Sequence, residues 1–250
     1  MLKEFAMAPD RYTNLSPDVE RFIDDRVCVV QGPTWAAVSD VHTDDVEALV
    51  AETRALIPAE KKPIWWISPP CEPADLYEQL QALGFRTPHD RADWLHAMAT
   101  TSPPPESPGV EVRRVATFDD FVTATHVAWD GFGISEERRE KERPHLRTVF
   151  DATRTPNSPC GFVAYVDGEP VGVGRSVYSE RGVFLIGGAV LEHARGRGVY
   201  RALVRARWDD AVQRGTPGMI VEAMPDTSYP ILKRIGFEEV GIIRRLEDPR

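Results

Sequence analysis

An apolar run, a basic glycine-bearing loop and an amphipathic helix follow one another over residues 182–215, and together they could hold an anion. Residues 183–190 (VFLIGGAV) are β-branched and apolar and read as a buried strand. The loop after them carries Arg195, Gly196, Arg197 and Gly198. Residues 199–214 read as a helix, with Tyr200, Leu203, Val204, Trp208, Ala211 and Val212 along one face and Gly215 as its stop. The N-terminus of such a helix offers amides without intrahelical partners and the positive end of the dipole. Gly196 and Gly198 allow a tight turn and a close approach of backbone to phosphate, and Arg195 and Arg197 add charge-assisted hydrogen bonds. The spacing departs from the dinucleotide pattern G-x-G-x-x-G, because Arg201 stands at the last glycine position, and no Gly-Lys-Ser/Thr follows as in a P-loop. A plain strand-to-helix turn with solvated arginines would share this spacing.

The elements that must position this stretch are spread over 250 residues, enough for one large domain or two small ones. The formal charge of −9 disfavours non-specific binding to nucleic acid. Cys28, Cys71 and Cys160 are scattered with no C-x-x-C, so neither a disulfide framework nor a metal site is expected, and lone thiols fit a reducing cytoplasm. The opening MLKEFAMAPDRY has no long apolar run, so no signal peptide is expected, and no segment is apolar enough for a membrane span.

In chain order, residues 16–23 read as a helix opened by Ser16-Pro17. Strands follow at 27–30 and 35–38, a helix at 43–56, a strand at 64–68, a helix at 74–83 stopped by Gly84-Phe85, and a strand at 92–98. Residues 100–109 (TTSPPPESPG) have the composition of an extended linker. We therefore expect domains at 1–99 and 110–250. The second begins with a strand at 110–115 and a helix at 118–129. A charged helix at 135–150 is kinked by Pro144, and a hairpin turns at Asp167-Gly168. After residues 182–215 come a strand at 219–223, a short helix at 228–235 closed by Gly236-Phe237, and a strand at 240–246.

Val190 ending the strand, then Arg195, Gly198 and Tyr200, resemble the pyrophosphate loop of the GNAT acyltransferase superfamily, Arg/Gln-x-x-Gly-x-Gly/Ala. Gly236-Phe237 resembles a second motif of that family, and the order of elements from residue 110 is the family's. Tyr200 departs from the usual small residue; it narrows the phosphate approach or covers the cofactor and leaves the backbone donors in place. The resemblance implies an α/β (α+β mixed sheet) GNAT fold. Residues 1–99 look like a shortened copy of the same plan, and residues 110–250 like the complete one. In the first copy the equivalent loop, residues 41–45, has no glycine or arginine, and Asp44 and Asp45 would repel a pyrophosphate and occupy the helix N-terminus themselves. An unrelated small α+β domain would also fit residues 1–99.

The resemblance further implies an acyl-CoA-dependent N-acyltransferase that moves acetyl from acetyl-CoA to a primary amine by direct attack. Carried over by position, Gly188, Ala189 and Val190 would meet the pantetheine arm. The backbone of Arg195, Gly196, Arg197, Gly198, Val199 and Tyr200 would hold the pyrophosphate, and Arg197 and Arg201 the outer phosphates. The family often supplies an acid from a Tyr four residues before the glycine of Gly-Phe; here that position is Leu232. Tyr229, one turn earlier, is the substitute, with Tyr200 and Tyr178 in reserve and core packing as the other reading. For the base, Glu222 sits in an apolar strand where burial would raise its pKa, unless its side chain faces solvent. Glu180, Glu192, His193 acting through water, and a water chain are the alternatives. No cysteine is placed for a covalent route. A catalytically weak acyl-CoA sensor or partner-binding module is the competing reading. The expected partner is a small-molecule or peptide amine; no nucleic acid, membrane or metal is expected, and the chain would be a monomer or homodimer.

Overall fold

The computed structural model describes residues 1–88, 93–155 and 158–250. In chain order its elements are α1 (Leu2–Met7), α2 (Pro9–Tyr12), β1 (Glu20–Ile23), β2 (Cys28–Gln31), β3 (Ala36–Ser39), α3 (Val46–Leu56), β4 (Ile64–Ile67), α4 (Leu76–Ala82) and β5 (Trp94–Thr100). Then follow β6 (Glu111–Arg114), α5 (Phe118–Gly131), α6 (Glu136–Glu142), α7 (Leu146–Ala152), β7 (Cys160–Val166), β8 (Glu169–Ser179) and β9 (Gly182–Val190). The chain ends with α8 (Val199–Gln213), β10 (Met219–Ala223), α9 (Ser228–Arg234) and β11 (Glu238–Glu247). Ala92, expected to open the strand that became β5, lies outside the described residues.

The chain divides into two compact units. The first holds Met1–Ala99, Val221–Lys233 and Phe237–Arg250; the second holds Thr100–Ile220 and Arg234–Gly236. The linker composition marks the first crossing, at Ala99/Thr100. The C-terminal strand, expected with residues 110–250, is grouped with the first hundred residues instead. Its register explains why: β11 lies antiparallel between β4 (Leu246 opposite Trp65) and β5 (Ile242 opposite His96). A bidentate ion pair adds to this, Arg54 Nε and Nη2 donating to Asp248 at 3.0 and 2.8 Å.

In the first unit the strands run in the order β1-β2-β3-β4-β11-β5-β10, with β3 and β4 parallel and β11 antiparallel to both of its neighbours. Trp65, Leu246, Leu49, Leu76 and Leu80 pack one core on this sheet. Met7, Ala97 and Ile243 pack another, flanked by Trp66. Alternation of side chains along β5 and β11 sets these cores on opposite faces. Residues 20–23 form an edge strand paired to β2, not a helix, with Glu20 opposite Gln31. Phe22 and Ile23 on this strand are exposed.

In the second unit β6, β7, β8 and β9 form an antiparallel run. Helix α5 starts with a capping box from Thr117 and Asp120 and packs Val127 against Val163, Val173 and Ala189. Pro144 breaks the charged helix into α6 and α7 across a 3-10 turn. Asp167 and Gly168 both have positive φ, as a two-residue hairpin requires. The prolyl segment docks on α8: Arg201 Nε donates to Ser107 Oγ at 2.6 Å and Arg205 Nη1 to the Pro104 carbonyl at 3.1 Å.

Candidate acyl-carrier loop and proton-carrying groups

In the second unit, β9 carries a bulge. Val173 pairs with Ala189 and Arg175 with Ile186, so Gly187 and Gly188 together face the single Gly174. Gly187 sits at φ +57°, which only glycine adopts freely, and both glycines are exposed. Backbone polar groups freed from the ladder are therefore open to a ligand. The neighbouring Ala189 points the other way and is buried against α5.

The chain leaves β9 through a 3-10 turn, Glu192–Ala194, and enters α8 at Gly198, whose φ is +80°. The first amide bonded within this helix is that of Ala202, to the Gly198 carbonyl at 3.0 Å. The amides before it are the open donors of the helix N-terminus. A Cβ on Gly198 would come within 3.2 Å of Ser107 Oγ and 3.4 Å of Arg201 Nη2. The arginines are already oriented: Arg197 Nη2 donates to Asp167 Oδ2 at 2.9 Å, Arg195 Nε to the Val190 carbonyl at 3.4 Å, and Arg201 to Ser107. Glycine turn, free amides and clustered guanidinium groups fit a pyrophosphate-bearing ligand. Val199 and Tyr200 open the helix; Val199 is buried, and the Tyr200 ring lies against Gly188. Burial raises the Tyr200 phenol pKa, opposed by the nearby Arg207 guanidinium.

In residues 1–99 the start of helix α3 is already taken. Asp45 Oδ1 accepts the Ala48 amide at 2.9 Å and caps α3.

The groups expected to carry protons lie in the first unit. Glu222 of β10 is pushed up to about 8, first by burial and then by the carboxylate of Asp10, with Arg245 opposing. Asp10 is itself raised to about 6 by burial, against the pull of Arg21. Asp10 falls in α2, which the sequence reading left unassigned. Tyr229 sits in the first turn of α9, where Ser228 Oγ accepts the Met224 amide at 2.9 Å. Its phenol oxygen accepts from Lys233 Nζ at 3.3 Å, and its ring stacks on His96 with centroids 3.7 Å apart. His96 Nδ1 lies 3.1 Å from Glu239 Oε2.

Glu222 and Tyr229 do not meet. Arg245, beside Glu222, lies over Trp66 on the Ala97 side of the sheet, whereas His96, under Tyr229, points to the other side. Leu232, at the usual acid position, is fully buried. The sequence reading missed His96, Glu239 and the bulge. A histidine within an otherwise apolar strand and a Gly-Gly pair inside another were the available signals. Among the described residues no group of three or more His, Cys, Asp or Glu could hold a metal, and no helix is long and apolar enough to cross a membrane.

Residues 122–237 match the model of the Acetyltransferase (GNAT) family. No curated protein sequence matches the chain. Among solved structures, the chain is similar to a GCN5-related N-acetyltransferase from Kribbella flavida (TM-score 0.73, 16% identity, 100% of this chain and 96% of that one). It is similar to a GCN5-related N-acetyltransferase from Sphaerobacter thermophilus (TM-score 0.56, 16% identity, 99% and 93%). A tandem GNAT protein of the clavulanic acid biosynthesis pathway also matches (TM-score 0.58, 14% identity, 99% and 87%). These similarities extend over the whole chain and show the fold.

Proposed function

We propose that this chain, whose residues 122–237 form a domain of the Acetyltransferase (GNAT) family, transfers acetyl from acetyl-CoA to a primary amine by direct attack. The observation that carries the reading is the Gly196–Gly198 turn into α8 following the Gly187–Gly188 bulge. We assign the backbone of Arg195, Gly196, Arg197, Gly198, Val199 and Tyr200 to the pyrophosphate, with Arg197 and Arg201 on the outer phosphates. The exposed strand at Gly188, with Ala189 and Val190, takes the pantetheine arm. When bound, acetyl-CoA supplies an activated thioester carbonyl. What the protein must add is orientation, removal of a proton from the attacking ammonium and delivery of one to the departing sulfur.

For the first proton we propose Glu222 where the substrate lies on its face of the sheet, and a chain of water where it lies on the face of Tyr229. With its pKa raised to about 8, Glu222 is mostly protonated at neutral pH and becomes a competent base as pH rises. For the second we propose Tyr229. The whole-chain likeness to a tandem GNAT protein supports a reading of residues 1–99 as a second, cofactor-free copy, and the Asp45 cap of α3 gives the physical reason. Turnover of acetyl-CoA with a panel of small amines, followed as thiol release, tests the reading. A catalytically weak acyl-CoA sensor would bind acetyl-CoA and turn over none of them.

A further inference from the structure

Residues 1–99 contribute a side chain to the neighbourhood of Tyr229. His96, on β5, is 8% exposed and is the partner on which the Tyr229 ring rests, the two rings 17° from parallel. An ionised carboxylate can only accept, so Glu239 fixes the tautomer of His96 with the proton on Nδ1 and fixes the plane of its ring. Trp94, two residues earlier on the same face, meets the imidazole edge-on at 5.1 Å. On the far side of the phenol, Lys233 places its ammonium 3.3 Å from the oxygen. Tyr229 is thus held by a stacked ring fixed by a carboxylate, and its oxygen faces a cation.

Resting on the transferase reading above, we propose that His96, oriented by Glu239, is a positioning residue for Tyr229. It fixes the phenol so that the proton goes to the departing sulfur while Lys233 faces the phenolate that is left. In that step the carbonyl carbon–sulfur bond breaks and the electron pair stays on sulfur. The phenol O–H bond breaks, an S–H bond forms, and the phenolate regains a proton from solvent before the next turnover. The attacking ammonium gives up two protons to solvent, one before attack and one as the amide forms; the phenolate takes one back, so one proton leaves per cycle. The proposal gives the first copy a role, since its strand β5 lies beside β11 and supplies the histidine. The charged and titratable groups facing the imidazole are Glu239 from β11 and Tyr229 from α9, with Lys233 beyond the phenol. Arg244, next on that face of β11, is engaged by Glu78 at 3.1 Å.

The test uses His96→Phe, which keeps a stacked ring and loses the bond to Glu239, together with His96→Gln and Tyr229→Phe. Expected for His96→Phe is an about tenfold loss in kcat, within the range of a mispositioned proton donor. Acetyl-CoA affinity by calorimetry should be unchanged, and the solvent deuterium isotope effect on kcat should be larger. Full activity of His96→Phe would reduce His96 to packing and overturn the proposal, as would full activity of Tyr229→Phe. A readout without turnover comes from NMR of the ligand-free protein. The His96 ring protons should shift when Tyr229 is replaced by Ala; no shift means no stack, and the proposal falls while the transferase reading stands. A wild-type protein that binds acetyl-CoA but acetylates no amine sinks the transferase reading and this role together, with the stack itself still visible by NMR.

Discussion

The Tyr200 ring lies against Gly188 so closely that a Cβ on that glycine would come within 3.0 Å of Cε2. This contact joins the first turn of α8 to the bulged strand. It gives a reason for the departure from the small residue of the family pattern: an exposed glycine on β9 makes room for an aromatic ring on the helix. Replacing Gly188 by Ala forces the ring aside or strains the bulge. We expect an about tenfold loss of acetyl-CoA affinity by calorimetry and a stability loss of about 1–2 kcal/mol by urea unfolding. A second substitution, Tyr200→Ala, should restore most of the affinity, because the ring no longer needs the space. Unchanged affinity in Gly188→Ala would show that this strand does not meet the ligand.

The paired carboxylates predict an unusual dependence of stability on pH. Glu222 is raised from 4.5 to about 8 in the folded protein, and Asp10 from 3.8 to about 6. Between the lower and upper value of each pair the folded state binds more protons than the unfolded one. Stability therefore falls as pH rises through these windows, the reverse of a salt-bridged carboxylate. Glu222→Gln keeps the neutral form at every pH. It should resemble the wild type at about pH 5 and exceed it by a few kcal/mol at about pH 9, on about 1.4 kcal/mol per unit. Urea midpoints at the two pH values check this; parallel curves for both proteins would mean that Glu222 is already ionised in the fold.

Leu232 offers a third check. Both short helices close in the same way: Phe85 donates its amide to the Leu80 carbonyl and Phe237 to the Leu232 carbonyl, each at 3.1 Å, with Gly84 and Gly236 at positive φ. Leu80 and Leu232 are both fully buried. Leu232 is therefore a packing residue, as Leu80 is. Installing a tyrosine there by Leu232→Tyr should not raise kcat, and overpacking should cost about 1–3 kcal/mol. A gain in turnover would show that the position still faces the reacting atoms.

Local signals made much of this legible beforehand. Pro144 and Asp167-Gly168 announced a kink and a turn because proline and φ-positive residues restrict the backbone wherever they stand. The glycine turn into α8 was legible because glycine spacing and helix onset are contiguous in sequence. The unseen parts depend on pairing between distant segments. Nothing in residues 238–247 says that β11 will lie between β4 and β5, so neither the grouping of the C-terminus with the first unit nor the meeting of His96 with Glu239 and Tyr229 could be read. Asp10 escaped for the same reason: its effect on Glu222 comes from a tertiary approach, and α2 is only a four-residue helix. The segment at 16–23 was misread because its polar-apolar pattern fits a helix and an exposed edge strand equally well.

Acetyl-CoA binding by calorimetry, on the wild type and on Gly198→Glu, tests the central claim most directly. Gly198 adopts φ +80° at the mouth of α8, so glutamate there adds both backbone strain and a negative charge where the phosphates are assigned. The account predicts binding to the wild type and at least an about hundredfold loss in the variant, with the fold intact by circular dichroism. Equal affinity in the two proteins, or no binding of acetyl-CoA or longer acyl-CoAs to the wild type, would contradict it.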